Sequence, residues 1–166
     1  DVVVITAGMV SDDDDGFAAP ELVGRIVATN FTGVMTVASA AAARMRRQPG
    51  GGSIVLFSSI AAKAPRGSNV AYAASKAALE SYAASMQHAL STAEVKVQVV
   101  APGYVDTAMT AGKELLLPVA SPEEVATAVV EGLAGGRRFV YSPRWWGPIV
   151  GTIRRLPWPV YRRLDF

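Results

Sequence analysis

Cysteine is absent from this sequence of 166 residues, and histidine occurs once, as His88. Without cysteine the chain can form neither a disulfide nor a thiolate metal site, which fits a reducing compartment. His88 has no carboxylate or cysteine at the spacing of metal ligands, so we expect it to play a structural part. The sequence therefore predicts no metal site, and no signal peptide is seen at its start.

Charge is low overall but unevenly distributed. Hydrophobic residues make up 51% and charged residues 18% of the sequence, which is typical of one globular domain with an apolar core. The net charge is +2, but residues 133–166 contain seven arginines and one acid, so they carry +6 and leave −4 for the rest. The run Asp12-Asp13-Asp14-Asp15 cannot converge on one ion without loop folding, and we interpret it as a solvated loop.

Strand and helix signals alternate along the sequence. The apolar segments of strand length are 2–5, 53–57, 95–100 and 139–141, and the helical segments are 20–29, 33–47, 69–90 and 122–133. Such alternation predicts an α/β fold in which a parallel sheet lies between two layers of helices. Ser121 is well placed to cap the last of these helices, with Pro122 at its first position.

Ser59, Tyr72 and Lys76 are predicted to meet at one edge of this sheet. Ser59 follows the carboxyl end of a buried strand, which is where open α/β sheets bind ligands. Tyr72 and Lys76 lie four residues apart on the next helix and share a face, with Cβ atoms roughly 5–6 Å apart. Tyrosine has an ordinary pKa of about 10, and a nearby ammonium favours the phenolate and lowers that pKa. The pair is suited to handing a proton to an oxygen.

Five motifs follow the order found in the short-chain dehydrogenase/reductase family, which the sequence resembles over roughly residues 1–135. The motifs are Thr6-Ala7-Gly8 after the first strand, Asn30 within Ala28-Thr29-Asn30-Phe31-Thr32-Gly33, Ser59, Tyr72 with Lys76, and Pro102-Gly103-Tyr104-Val105-Asp106-Thr107 after the third strand. The resemblance implies a Rossmann-type doubly wound parallel sheet in three α/β/α layers, with NAD(P)H as cofactor. Thr6 departs from the asparagine that is commoner in the family, which would alter hydrogen bonding beside the cofactor.

The resemblance also implies a role for each position. Tyr72 would protonate the developing alkoxide, and Ser59 would hydrogen-bond and orient the same oxygen. Lys76 would lower the pKa of Tyr72 and bind the nicotinamide ribose, and Asn30 would hold a water that returns the proton through Lys76. The implied cofactor-binding residues are Ala7, Gly8, Tyr72, Lys76, Pro102, Gly103, Val105 and Thr107.

The start of such a fold is missing from the sequence. Family members begin with a strand, a glycine-rich turn and a helix that bind the pyrophosphate of the dinucleotide, but no G-x-G-x-x-G occurs here. Gly50-Gly51-Gly52 precedes a strand, so we interpret it as a turn. We expect residues 1–142 to be the carboxyl-terminal part of a dinucleotide-binding reductase domain without its first β-α-β units, about 80 residues. The missing second strand would carry the residues that distinguish NADH from NADPH.

Residues 143–166 form a basic aromatic tail. Ile149, Ile153 and Leu156 would share one face of a helix opposite the arginines, which is typical of an element that lies in a membrane interface. The tail is too short to span a bilayer, because only about nine residues precede Arg154 and roughly twenty are needed. Packing across a homo-oligomer is an equal alternative, and the lack of a binding motif argues against nucleic acid. We expect a cytoplasmic homo-oligomer, with membrane or protein contact through residues 144–164.

The tail also resembles the ending of family members that reduce a 2-keto-pentose linked to a polyprenyl phosphate. The matching segments are Ala134-Gly135-Gly136-Arg137-Arg138-Phe139-Val140-Tyr141-Ser142-Pro143, Arg154-Arg155-Leu156-Pro157 and Arg162-Arg163-Leu164. Three functions stay open. They are reduction of such a lipid-linked keto sugar in cell wall biosynthesis, reduction of a soluble ketone or 3-oxoacyl chain, and a cofactor-free interaction module or inactive fragment.

Overall fold

The computed structural model describes residues 1–112, 115 and 117–164. Within these residues, four parallel strands form one sheet in the order in which they occur along the chain. The strands are β1 (Val2–Ile5), β2 (Gly52–Phe57), β3 (Val95–Pro102) and β4 (Phe139–Ser142). Because all strands run in one direction, their carboxyl ends meet along one edge of the sheet. The predicted parallel α/β sheet is confirmed.

Helices connect the strands and extend beyond the last one. They are α1 (Pro20–Val27), α2 (Val34–Met45), α3 (Val70–Ala89), α4 (Pro122–Ala134), α5 (Trp146–Ile153) and α6 (Trp158–Tyr161). The prediction of separate helices at 20–29 and 33–47 was wrong, because a π-helical segment, Ala28–Gly33, joins α1 to α2. Gly33 has ordinary right-handed helical dihedrals, with φ −63° and ψ −46°, so it continues the helix.

Helices cover both faces of the sheet. Ile54 and Leu56 of β2 are fully buried in a cluster with residues of α2 and α3, whereas Val55 is buried in a second cluster with residues of α4. Successive side chains of a strand point to opposite faces, so this alternation places α2 and α3 on one face and α4 on the other. The predicted three-layer α/β/α arrangement follows directly from these contacts.

The continuous helix Pro20–Met45 is long and apolar enough to cross a membrane when judged by length and composition alone. The core helix of a soluble protein passes the same test, so this is weak evidence. Ile26, Val34 and Ala38 lie on the side of this helix that is packed inside the protein. Packing inside the domain therefore accounts for one side of this helix.

Asp14 corrects the interpretation of the acidic run as a wholly solvated loop. Asp12, Asp13 and Asp15 are exposed, but Asp14 is only 1% exposed. Its two carboxylate oxygens accept the backbone N–H groups of Ala71 and Tyr72, each at 2.8 Å. A carboxylate at the amino end of a helix satisfies free N–H groups and interacts favourably with the helix dipole. Asp14 thus anchors the loop after β1 to the first turn of α3.

The tail packs against the domain and differs from the predicted amphipathic helix. Helix α5 buries Trp146 and Val150 completely, in a cluster with Ile60 and Tyr104. The expected apolar face of 149, 153 and 156 does not form on one helix, because α5 ends at Ile153 and Pro157 precedes the separate helix α6. Helix α5 therefore shares a core with the domain, whereas α6 has no buried residue.

Candidate active site

A cleft with a volume of about 1200 Å³ opens at the carboxyl ends of the strands. The structure brings most of the predicted site residues to its walls. Those lining it are Gly8, Ser59, Tyr72, Lys76, Pro102, Gly103, Val105 and Thr107. Of the predicted site residues that the structure describes, Ala7 and Asn30 do not line the cleft. The strand ends, the loop after β3 and the first turns of α3 thus converge on one space.

Ser59 lies where β2 ends and a short 3₁₀ turn, Ile60–Ala62, begins. Its backbone is extended, and its hydroxyl oxygen accepts the N–H of Ala61 at 3.2 Å. Ser59 and Tyr72 both line the cleft, and interaction with the Ser59 side chain acts to lower the pKa of Tyr72. Because Ser59 is 7% exposed and held by the turn, its hydroxyl has a fixed position at the floor of the cleft.

Tyr72 is partly buried on the first turn of α3. Burial raises the pKa of the Tyr72 hydroxyl, while the hydrogen bond from Ser59 and the positive charge of Arg66 act to lower it. Arg66 lies on the loop before α3 and also lines the cleft. Arg66 was not among the predicted site residues. The structure therefore identifies it as a cation acting on the phenol oxygen.

Lys76 lies one helical turn after Tyr72 and is 3% exposed. Its ammonium donates a hydrogen bond to the Phe57 carbonyl oxygen at 2.7 Å and lies 5.9 Å from the centre of the Tyr72 ring. Burial lowers the pKa of Lys76 to about 8, so the ammonium still predominates at neutral pH. The expected lowering of the Tyr72 pKa by Lys76 stays a prediction, and the structure shows the ammonium hydrogen-bonded to the end of β2.

Asn30 lies in the π-helical segment and is completely buried. Its Oδ1 accepts the N–H of Met9 at 2.7 Å, and its Nδ2 donates to the Met9 carbonyl at 2.9 Å and to the Ser75 hydroxyl at 3.2 Å. These bonds tie the loop after β1 to α3. The predicted water at Asn30 stays a prediction, and what the structure shows is a residue that positions the loop carrying Gly8.

Gly8 and Gly103 both bring backbone close to side chains of the site. A Cβ at Gly8 would lie 3.4 Å from the Lys76 ammonium nitrogen, so the Gly8 backbone lies close to that ammonium. A Cβ at Gly103 would lie 1.8 Å from Nε1 of Trp146, which no side chain could tolerate. The loop after β3 therefore rests directly on α5, and the tail forms the support for one wall of the cleft.

The rest of that loop is held by its own hydrogen bonds. The Thr107 hydroxyl donates to the Val105 carbonyl at 3.3 Å, and the Thr107 N–H donates to the Thr110 hydroxyl at 3.2 Å. The ring of Tyr104 packs edge-on against Trp146, with 5.7 Å between the ring centres. Binding of a cofactor by Thr107 stays a prediction. It would require the Thr107 hydroxyl to give up its hydrogen bond to the Val105 carbonyl and bond to the cofactor instead.

Sequence reasoning missed Asp14, Arg66, Asn69 and Trp146 as parts of the site. Asp14 and Tyr72 are 58 positions apart, so rules for capping by adjacent residues could not find the cap. Trp146 was counted with the tail, although its ring is packed under the loop of Gly103. The acidic run and the aromatic tail stand out in the sequence, but their contacts with Tyr72 and Gly103 can be seen only in the folded chain.

Comparison with known proteins places this site among oxidoreductases. A family model described as short chain dehydrogenase matches residues 1–115. An uncharacterized oxidoreductase of Mycobacterium tuberculosis is 34% identical over 139 residues, which cover 84% of this chain and 55% of that protein. An uncharacterized oxidoreductase of Streptomyces coelicolor is 32% identical over 165 residues, covering 99% of this chain and 64% of that protein. The chain thus spans little more than half to about two thirds of these relatives.

Solved structures show the same architecture. A short chain dehydrogenase from Burkholderia cenocepacia, in complex with NADP, superposes with a TM-score of 0.86 at 25% identity, covering 99% of this chain and 68% of that one. A short-chain dehydrogenase from Sphingobium yanoikuyae, in complex with NADPH, gives a TM-score of 0.76 at 26% identity, covering 95% of this chain and 66% of that one. The first of these similarities includes the tail, since it covers 99% of this chain.

Proposed function

Because the chain belongs to the short-chain dehydrogenase family, we propose that it carries the catalytic half of an oxidoreductase that reduces a ketone to a secondary alcohol with NAD(P)H. One observation supports this most strongly. Ser59, Tyr72 and Lys76 line one cleft at the carboxyl ends of the strands. The hydroxyl groups of Ser59 and Tyr72, on the wall of the same cleft, can act as two hydrogen-bond donors to one carbonyl oxygen.

These residues would stabilise the charge that develops on the carbonyl oxygen. Tyr72 acts as the general acid, and Ser59 donates a second hydrogen bond that fixes the position of the same oxygen. The positive charge of Arg66 acts to lower the pKa of Tyr72 and so assists release of its proton. Lys76, a positively charged group beneath the cleft, would restore the proton to Tyr72.

The cleft fits a nicotinamide cofactor, which when bound supplies the hydride. Gly8 and Lys76 both line the cleft, where they could meet a ribose hydroxyl. We propose that Ala7, Gly8 and Lys76 hold one side of the cofactor. Pro102, Gly103, Val105 and Thr107 would hold the other. The complexes of the two solved relatives with NADP and NADPH support this choice of cofactor.

The direct test is ketone-dependent oxidation of NADPH by the purified natural full-length protein, with fluorescence of the bound nicotinamide as a separate measure of cofactor binding. We expect both signals, and we expect Tyr72→Phe to lose turnover while it keeps binding. Failure to bind NADPH or NADH would instead support the alternative of an interaction module or inactive fragment. Binding without turnover of any ketone would argue against the assigned reaction.

Two substrate classes remain candidates. A 3-oxoacyl chain is supported by a relative, a 3-oxoacyl-[acyl-carrier-protein] reductase of Mycobacterium tuberculosis, which is 36% identical over 110 residues, covering 66% of this chain and 44% of that protein. A keto sugar, such as the lipid-linked 2-keto-pentose, is supported by the resemblance of the tail and by a polar wall of the cleft. Comparing turnover of a 3-oxoacyl thioester with turnover of a keto sugar distinguishes these classes.

The contacts of residues 144–164 remain predictions. Trp158 is 68% exposed and Val160 is 47% exposed, and Arg162 and Arg163 follow them in the sequence. Such a surface suits either an anionic membrane or another copy of the chain. Sedimentation with anionic vesicles tests the first contact, and the molar mass in solution tests the predicted homo-oligomer.

A further inference from the structure

Asn69 has a buried side chain that makes no hydrogen bond within the part of the chain that the structure describes. The residue is 6% exposed, its Oδ1 is shielded from solvent without a partner, and it lines the cleft. It lies immediately before α3 and three residues before Tyr72, so both residues lie on the same side of the first turn. The Asn69 carboxamide is thus a polar group without a partner beside the proposed general acid.

The position of Asn69 makes this unusual. An asparagine immediately before a helix normally accepts a hydrogen bond from a backbone N–H of the first turn. Here the Asp14 carboxylate accepts the N–H groups of Ala71 and Tyr72 instead, so the Asn69 side chain makes no cap. The Asn69 side chain therefore does not serve as the cap of α3, although the residue stands at the capping position.

A buried amide without a partner destabilises the folded chain, because it has lost its hydrogen bonds to water. Because Oδ1 is shielded in the orientation shown, a ligand in the cleft can bond to this oxygen only after the carboxamide rotates. Rotation of the carboxamide by half a turn about its last torsion exchanges its oxygen and nitrogen, so the group can offer an acceptor or a donor. A hydroxyl group both donates and accepts, and it matches the carboxamide in either orientation.

We propose that Asn69 binds a hydroxyl group that the substrate carries close to its reacting carbonyl, so that the preferred substrates are hydroxylated ketones of the keto-sugar class. This inference rests on the proposed ketone reduction at Tyr72. The neighbouring wall has the same polar character, because the Arg66 guanidinium lies 3.5 Å from the Tyr104 hydroxyl oxygen, and both residues line the cleft. An unsubstituted acyl chain would leave the Asn69 carboxamide without a partner.

The test compares two ketones of equal shape, 2-hydroxycyclohexanone and 2-methylcyclohexanone, in which a hydroxyl replaces a methyl group. For the unaltered chain with NADPH, we expect kcat/KM to be about ten-fold higher for the hydroxy ketone. Asn69→Leu keeps the size of the side chain but cannot hydrogen-bond, and we expect the preference to fall to about one. Asn69→Asp keeps an acceptor, and we expect it to retain a preference. Each preference is a ratio within one preparation, so it does not depend on the active fraction.

Binding of the same two ketones, followed by ligand-observed NMR, separates this inference from the proposed function. If neither ketone is reduced, the proposed reaction fails, and a binding preference that disappears in Asn69→Leu still supports the hydroxyl site. Equal binding of the two ketones to the unaltered chain would overturn the inference. It would mean that the Asn69 carboxamide hydrogen-bonds only to water. A preference that persists in Asn69→Leu would overturn it as well.

Discussion

The Asp14 carboxylate accepts the backbone N–H of Tyr72 at 2.8 Å, although 58 positions separate the two residues. The contact fixes the first turn of α3, and with it the phenol that lines the cleft. It also links the loop after β1 to the helix that carries Tyr72 and Lys76. The geometry of the candidate site therefore depends on a residue that belongs to none of the catalytic motifs.

Replacing Asp14 should destabilise the fold at this contact. We expect Asp14→Ala to lower the free energy of unfolding by about 0.5–2 kcal/mol, the range for loss of a helix cap. Chemical denaturation measures this change. Asp13→Ala is the matched control, because Asp13 is exposed in the same run. Equal stability of the two variants would show that the contact at Tyr72 contributes nothing.

Tyr72→Phe should remove the proton donor and leave the fold intact. We expect turnover to fall by about 10²-fold or more, because no other group takes the place of the phenol beside Ser59. Steady-state NADPH oxidation gives the rate, and thermal unfolding gives the stability. Tyr82→Phe serves as the control, since the Tyr82 hydroxyl donates to the Met35 carbonyl and neither residue lines the cleft. Turnover close to that of the unaltered chain would refute the assignment of Tyr72.

Burial of Lys76 should make stability depend on pH in a defined window. The pKa of Lys76 is lowered from 10.5 to about 8 in the folded chain. Between these two values the unfolded state binds more protons than the folded state, so stability rises with pH. Below the lower value both states carry the charge, and the contribution of Lys76 to stability does not change with pH.

Lys76→Met isolates this contribution, because every other titrating group is common to both proteins. We expect the unaltered chain to gain stability relative to Lys76→Met as the pH is raised from about 8 towards about 10. Denaturant unfolding at a series of pH values provides the measurement. A difference between the two proteins that is flat across this window would mean that the Lys76 ammonium is not destabilised by burial. Lys76→Met should also slow turnover and shift its pH optimum upward.

Much of the fold and part of the site could be predicted from the sequence because their signals are local. Periodic apolar segments located the strands, and the spacing of Tyr72 and Lys76 placed both side chains in the cleft. The errors arose where distant residues decide the outcome. Asp14 was taken as solvated because its partners lie on α3, and Trp146 was assigned to a separate tail because its contact with Gly103 forms only in the folded chain.

Gly103→Ala should disrupt the contact between the loop after β3 and α5. The added Cβ would lie 1.8 Å from Nε1 of Trp146, so the loop or the indole must move. We expect a loss of about 1–3 kcal/mol in the free energy of unfolding. Gly24→Ala is the opposite control. Gly24 lies within α1 with no atom within 4 Å of an added Cβ, and alanine there should stabilise by about 0.5–1 kcal/mol. A tolerated Gly103→Ala would contradict the close packing.

Tyr161 should hold the end of the tail against the loop that leads to the site. Its hydroxyl donates a hydrogen bond to the Pro65 carbonyl oxygen, and α6, which contains it, has no fully buried residue. Tyr161→Phe removes this hydrogen bond. Helix α6 should then be held to the domain mainly through its covalent connection to α5. Because Arg162 and Arg163 are exposed, the rate of trypsin cleavage reports directly on this attachment.

We expect trypsin to cleave Tyr161→Phe several-fold faster than the unaltered chain at these arginines, since one hydrogen bond contributes about 1 kcal/mol. Global unfolding should change little, because the core cluster of Trp146 and Val150 is untouched. Val160→Ala alters an exposed neighbour while keeping the Tyr161 hydroxyl, and it should be cleaved at the original rate. Faster cleavage in both variants would point to a general effect on α6, and equal cleavage in all three proteins would show that Tyr161 does not anchor the tail.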